Sequence, residues 1–257
     1  MKFRPCIDIH NGKVKQIVGG SLQDAGDQAS ENFVSEVDSA AYAALYRKMG
    51  LTGGHVIMLN GQDSPYYQKT RQEALKALSA WPGGLQAGGG ITAENAAQFL
   101  DAGASHVIVT SYVFRNGVID YDRLKALSKA VGKKRLVLDI SCRKRNGQYY
   151  VVTDRWQKYT DTPVTEMLLK ELSIYCDEFL VHGVDVEGKA SGVEKELIAL
   201  LTSSKEEYII TYAGGIAGFE DLEIIKNLGK GRLDYTIGSA LSIFGGTMDF
   251  ERAVRWK

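Results

Sequence analysis

Short apolar runs alternate along this chain with longer stretches whose apolar positions recur at helical spacing, the pattern of buried strands followed by amphipathic helices. It predicts strands over residues 3–9, 55–59, 85–87, 106–109, 136–140, 178–182, 208–211 and 233–237. Helices are predicted over 39–49, 66–79, 93–102, 120–131, 164–175, 194–201 and from 218 onward, with a short one starting near Phe250. Residues 14–18 read as an arm extending the first strand past the Asn11-Gly12 turn. Two stretches fall outside the alternation. Residues 19–30 are polar and read as a mobile loop, and 141–161 form an excursion whose alternating part, 148–153, is predicted to be a hairpin over the mouth of the fold. Both are expected to move without ligand and to order over it.

Eight strand-helix units imply a parallel sheet, and eight close naturally into a (β/α)8 barrel. The 257 residues suit a single domain of that kind. An open doubly wound sheet is the alternative, but no Gly-x-Gly-x-x-Gly follows the first strand.

Small residues at the strand ends bring in chemistry. Ala213-Gly214-Gly215-Ile216 follows the seventh strand and Ile237-Gly238-Ser239-Ala240 the eighth. Glycine lets the backbone turn tightly and bring its N–H groups up to an anion, so the pair predicts a phosphate site. The first half echoes the second: Gly89-Gly90-Ile91 matches Gly214-Gly215-Ile216, Thr110-Ser111 matches Gly238-Ser239, and Asp8-Ile9 matches Asp139-Ile140, at offsets of about 125 to 131 residues. Half-barrels are therefore predicted over about 1–132 and 133–257. Opposite loops of a barrel then place two phosphate sites across one mouth, with Asp8 and Asp139 facing each other between them. The expected partner is a long small molecule with a phosphate at each end. Isolated strand-end aspartates often only cap a turn or pair with a cation; the repeat and the glycine loops favour a role in chemistry.

Charge and cysteine usage narrow the setting. Lysine plus arginine (31) equals aspartate plus glutamate (31), which leaves no nucleic-acid footprint and no pull toward an anionic membrane. No apolar run is long enough to span a bilayer, and the widely spaced Cys6, Cys142 and Cys176 suggest reduced thiols and a cytoplasmic protein. The four histidines lack metal-ligand spacing, so no metal is expected. Cys142 lies beside Arg143, Lys144 and Arg145, but no His is positioned as its base; the basic run reads as a solvated face that steers anions toward the mouth.

The ordered set Pro5-Cys6-Ile7-Asp8-Ile9-His10-Asn11-Gly12-Lys13-Val14, Gly19-Gly20, Ala87-Gly88-Gly89-Gly90-Ile91, Leu138-Asp139, Ala213-Gly214-Gly215-Ile216 and Ile237-Gly238-Ser239-Ala240 resembles the ProFAR isomerase family of histidine biosynthesis. The resemblance covers essentially the whole chain. It implies an Amadori rearrangement of a bisphosphorylated aminoaldose to an aminoketose, with no metal or organic cofactor. It further implies that Asp8 is the general base, that Asp139 matches the strand-five aspartate usually given the proton-donor role, and that Gly19, Gly20 and the loops named above meet the substrate. His182, from its place at a strand end, reads either as a substrate contact or as a core histidine. Trp156 matches an aromatic that stacks on the substrate base in relatives.

Strand six departs from the common bacterial pattern. In His182-Gly183-Val184-Asp185-Val186-Glu187-Gly188, glycine stands where many members have threonine, and Glu187-Gly188 stands nearest to their Asp-Gly. The run looks more like the eukaryotic branch, and the proton donor is left as Asp139, Asp185 or Glu187. Two alternatives stay open. The sister cyclase of the same pathway usually carries Lys-Gly where this chain has Gln16-Ile17-Val18-Gly19, and a non-catalytic binder of bisphosphates would need the glycine loops but not the carboxyls. A monomer is expected.

Overall fold

The computed structural model describes residues 1–18, 21, 22 and 28–256. Gly19 and Gly20, and most of the loop expected to be mobile, lie outside these residues. β1 (Cys6–His10) turns at Asn11 and Gly12, both at positive φ (53° and 72°), into the antiparallel β2 (Lys13–Ile17), which pairs in turn with β3 (Glu31–Val34). The chain continues through β4 (Gly54–Met58), β5 (Leu85–Gly88), β6 (Val107–Val109) and a small hairpin, β7 (Phe114–Arg115) with β8 (Val118–Ile119). β9 (Leu136–Asp139) precedes a separate three-stranded sheet of β10 (Cys142–Arg145), β11 (Gln148–Thr153) and β12 (Lys158–Pro163). β13 (Glu178–His182), β14 (Ile209–Ala213) and β15 (Leu233–Tyr235) follow.

β1, β4, β5, β6, β9, β13, β14 and β15 hydrogen-bond side by side in that order. Phe3 bridges Tyr235 in parallel, with Arg4 N–H donating to Tyr235 O at 2.8 Å and Tyr235 N–H to Lys2 O at 3.0 Å. That seam closes the sheet into the (β/α)8 barrel. The first strand begins at Cys6 rather than at residue 3 because Pro5 has no N–H for the ladder. Beneath the strands, Arg4 ties the seam to the sixth and eighth barrel strands through Glu178 (2.8 Å) and Asp234 (2.7 Å).

The helices are α1 (Ser39–Lys48), α2 (Tyr67–Ala80), α3 (Ala96–Asp101), α4 (Tyr121–Val131), α5 (Glu166–Leu172), α6 (Lys195–Leu201), α7 (Phe219–Leu228) and α8 (Phe250–Arg255). Side chains of Asp38, Asp120, Thr165 and Asp249 accept from first-turn N–H groups and fix four of the starts. The helices' apolar faces pack on strands such as Leu136-Val137-Leu138, which are buried on both sides. Ile108, Val137 and Leu180, with Ile57 against them, form a second small cluster drawn from strands of both halves. No described helix is long and apolar enough to cross a membrane.

Candidate active site

Two cavities, of about 420 and 1420 Å³ including their open mouths, lie at the C-terminal ends of the barrel strands. Gly214, Gly215, Gly238 and Ser239 wall the smaller one. Gly89, Gly90, Thr110, Ser111, Asp139 and Trp156 wall the larger one. Asp8, Gln16, His182 and Glu187 belong to both, so the cavities meet at these four side chains. The sequence repeat placed its glycine loops across one mouth, and the fold brings them there.

The turns require glycine. Gly214 and Gly215 have φ of 113° and 77°, and a Cβ on Gly215 would lie 2.1 Å from Gly192 O. Gly89 has φ 94°, and a Cβ there would lie 2.0 Å from Met58 O. Asp221, in the first turn of α7, accepts from Ala217 N–H (2.8 Å) and Gly218 N–H (3.2 Å). That helix start is therefore served by its own side chain.

Four carboxyls were candidates, and their surroundings differ. Asp8 lies in the middle of β1 at the junction, where lost hydration pushes its carboxyl from 3.8 up to about 7, opposed by a hydrogen bond from Gln16 Nε2 to Oδ2 at 3.3 Å. Glu187 is also pushed up to about 7, first by burial and then by the charge of Asp8. Its Oε2 is buried without a hydrogen-bond partner. Asp139 is raised by burial, opposed by contacts from Ser141 and Thr110. Asp185 lies in the 3-10 turn Val184–Val186 and lines neither cavity. It accepts from Arg143 Nε at 2.8 Å and from Lys144 N–H at 2.9 Å, held by the basic run that the sequence reading had assigned to steering.

The excursion over the mouth reaches the site from β11 and β12. Asp154, Arg155 and Trp156 hold φ of 51°, 55° and 68°, three non-glycine residues in left-handed backbone. The turn sets the Trp156 ring 5.1 Å from that of His182, and Asp154 N–H donates to Ser111 Oγ at 3.1 Å. His182 is lowered to about 4 by burial, so its ring is neutral.

Three residues at the site escaped the sequence reading. Gln16 reaches from Asp8 to the eighth-strand loop, where a Cβ on Gly238 would lie 2.3 Å from its Oε1. Ser141 links Asp139 to His182. Arg155 lines the larger cavity beside Trp156. Only Arg155 had a signal, its place in Asp-Arg-Trp at the tip of an alternating run. Spacing also did not reveal His106, Asp177 and Glu178, whose side-chain N and O atoms lie within 4.8 Å of one another at the N-terminal ends of β6 and β13. Arg4 and Lys134 already pair with the two carboxylates of that group.

A (β/α)8 barrel with glycine turns and buried carboxyls gathered at one mouth defines an α/β-barrel enzyme acting on a small molecule. A profile described as histidine biosynthesis protein matches residues 2–248, and the chain belongs to that family. It is 52% identical over 260 residues to a chloroplastic phosphoribosylamino-methylideneamino imidazole-4-carboxamide isomerase of Medicago truncatula, covering 100% of this chain and 81% of the relative. The isomerase of the same name from Neurospora crassa is 45% identical over 259 residues (99% of this chain, 98% of the relative). That from Saccharomyces cerevisiae is 41% identical over 264 residues (99% and 97%).

Proposed function

We infer that the chain is a ProFAR isomerase of histidine biosynthesis, which turns the ribose aminoaldose of its substrate into the aminoketose by proton transfers alone. One observation carries the reading of the site: two glycine-walled cavities meet at Asp8 and Glu187. A ligand with a phosphate in each cavity would place its sugar carbons there.

The electrostatics divide the roles. Two coupled carboxyls near 7 share about one proton at neutral pH. Gln16 donates to Asp8 and favours its ionised form; a backbone bond from Gly188 acts the same way on Glu187, but Glu187 Oε2 is left without a donor and is the oxygen that carries the proton. Asp8 is then the base that takes the proton from C2, and Glu187 the acid that opens the ring at its oxygen. Asp185, tied to Arg143, shapes the turn that aims Glu187. Gly214, Gly215, Gly238 and Ser239 hold one phosphate, Gly89, Gly90, Thr110 and Ser111 the other, and Trp156 stacks on the base of the ligand. The buried, unpaired Cys6, Cys142 and Cys176 suit a reducing compartment, cytoplasm or plastid.

The test is turnover of ProFAR coupled to the downstream cyclase. Wild type should turn over, while Asp8→Asn and Glu187→Gln should each lose about 10²- to 10⁴-fold in kcat and still bind substrate. Full activity in Glu187→Gln would remove it from the acid role. Consumption of only the already isomerised ligand would point to the cyclase.

A further inference from the structure

Ser141 stands two residues beyond Asp139, fully buried. Its N–H donates to Asp139 Oδ1 at 2.8 Å, and its hydroxyl touches the same oxygen. That hydroxyl also lies 2.9 Å from His182 Nδ1 and accepts the His182 N–H at 3.1 Å. A hydroxyl has one proton to give and two lone pairs to fill. The His182 N–H fills one lone pair. One donor and one acceptor position remain for Asp139 Oδ1 and His182 Nδ1, so when Ser141 gives its proton to one it receives a proton from the other.

We propose that Asp139, Ser141 and His182 form a proton relay connecting the cleft, at His182 Nε2, with the carboxyl of Asp139. With Asp139 ionised, Ser141 donates to the carboxylate, His182 carries its proton on Nδ1, and Nε2 presents a lone pair to the cavities that the ring lines. When Nε2 takes a proton, the Nδ1 proton passes to Ser141 Oγ and the Ser141 proton passes to Asp139 Oδ1. The relay then holds one proton more, Asp139 is neutral, and the ring is again neutral with its proton on Nε2. Run backward, the same transfers deliver a proton to the cleft.

The surroundings favour this path over a charged ring. Burial keeps His182 low and raises Asp139, so a proton arriving at the ring moves on to the carboxyl. The titratable groups facing the relay are Asp8 on β1, His55 on β4, Cys142 on β10 and Glu187 after β13. His55, 6.2 Å from the His182 ring, is lowered to about 3 and stays neutral, and burial pushes the Cys142 thiol up. Asp139, which also lines the larger cavity, is thus coupled through Oδ1 to the ring, and His182 Nε2 becomes a further proton-exchanging position beside Asp8 and Glu187.

Nitrogen-15 NMR of the histidine rings in the free protein tests the relay without substrate. As falling pH protonates Asp139, followed by the carbon-13 signal of its carboxyl, the wild-type His182 should stay neutral and shift from the Nδ1–H to the Nε2–H tautomer. Ser141→Ala should lose that shift, and Ser141→Thr should keep it. The turnover arm rests on the isomerase reading: Ser141→Ala should lower kcat about tenfold or more with little change in KM, and Ser141→Thr should recover it. A wild-type tautomer that does not change through the titration, or the same change in Ser141→Ala, overturns the relay. Absent ProFAR turnover by wild type would overturn the isomerase reading alone, because the NMR result judges the relay independently.

Discussion

The two glycine loops of the mouth are braced by the same device. In the first half, Asn95 accepts from Thr92 N–H at 2.8 Å and donates to Gly90 O at 2.9 Å; in the second, Asp221 accepts from Ala217 and Gly218 N–H. The following loops also match, with Val113 N–H donating to Thr110 O and Leu241 N–H to Gly238 O, each at 3.0 Å. The surroundings differ. Gly215 is pressed against the backbone of Gly192, whereas a Cβ on Gly90 would meet nothing nearer than Gln62 at 3.6 Å. The smaller cavity is closed in by the chain after β13, while the larger one is roofed by the excursion that carries Trp156. Two similarly braced loops thus wall a tight, glycine-lined cavity on one side and a roomy, aromatic-lined one on the other.

Equivalent substitutions in the two loops should break this comparison most visibly. Gly215→Ala drives a methyl group into Gly192 O and should reduce kcat/KM by about 100-fold or more, whereas Gly90→Ala adds only backbone strain of about 1 kcal/mol and should stay within about tenfold of wild type. Steady-state kinetics on both variants, with calorimetric phosphate binding, decides it. Equal losses would erase the asymmetry.

The junction between the cavities has a signature in stability. Between pH 4 and pH 7 the folded protein keeps protons on Asp8 and Glu187 that the unfolded chain releases. Their contribution is therefore present below about pH 4 and lost as pH rises through about 7. Asp8→Asn should be more stable than wild type at pH 8 by about 2 to 4 kcal/mol and nearly equal to it at pH 4. Chemical denaturation at the two pH values reads this. A variant less stable at pH 8 would mean that the Asp8 carboxylate is compensated by its partners.

The smallest effect should be specific to the larger cavity. Trp156→Ala should raise KM about tenfold by removing a ring worth about 1 kcal/mol beyond its area, leave kcat within about threefold, and leave binding of inorganic phosphate unchanged. Fluorescence titration with a substrate analogue, together with steady-state kinetics, checks each part.

The barrel strands were legible because parallel strands covered on both faces are continuous apolar runs, and their ends fell within a few residues. The polar edges were not. β3 is largely exposed and β12, Lys-Tyr-Thr-Asp-Thr-Pro, carries little apolar pattern, so the hairpin expected over the mouth is a three-stranded sheet. The glycine loops were visible because only glycine serves such turns. The partners of the carboxyls were hidden, since Gln16 and Ser141 are ordinary polar residues until the barrel sets one against Asp8 and the other against His182, 41 residues away. Asp185 and Glu187 look alike in sequence; one short turn gives the first to Arg143 and the second to the cleft.

The seam between Phe3 and Tyr235 carries a consequence for biogenesis. Arg4 and its partner Asp234 are 230 residues apart, so a ribosome completes one side of the seam 230 residues before the other. At 5–20 residues per second that gap lasts roughly 10 to 50 s, during which the nascent first strand holds an unpaired edge. Synonymous codons that slow translation ahead of Tyr235 should lengthen that exposure and lower the yield of native protein without altering a single side chain.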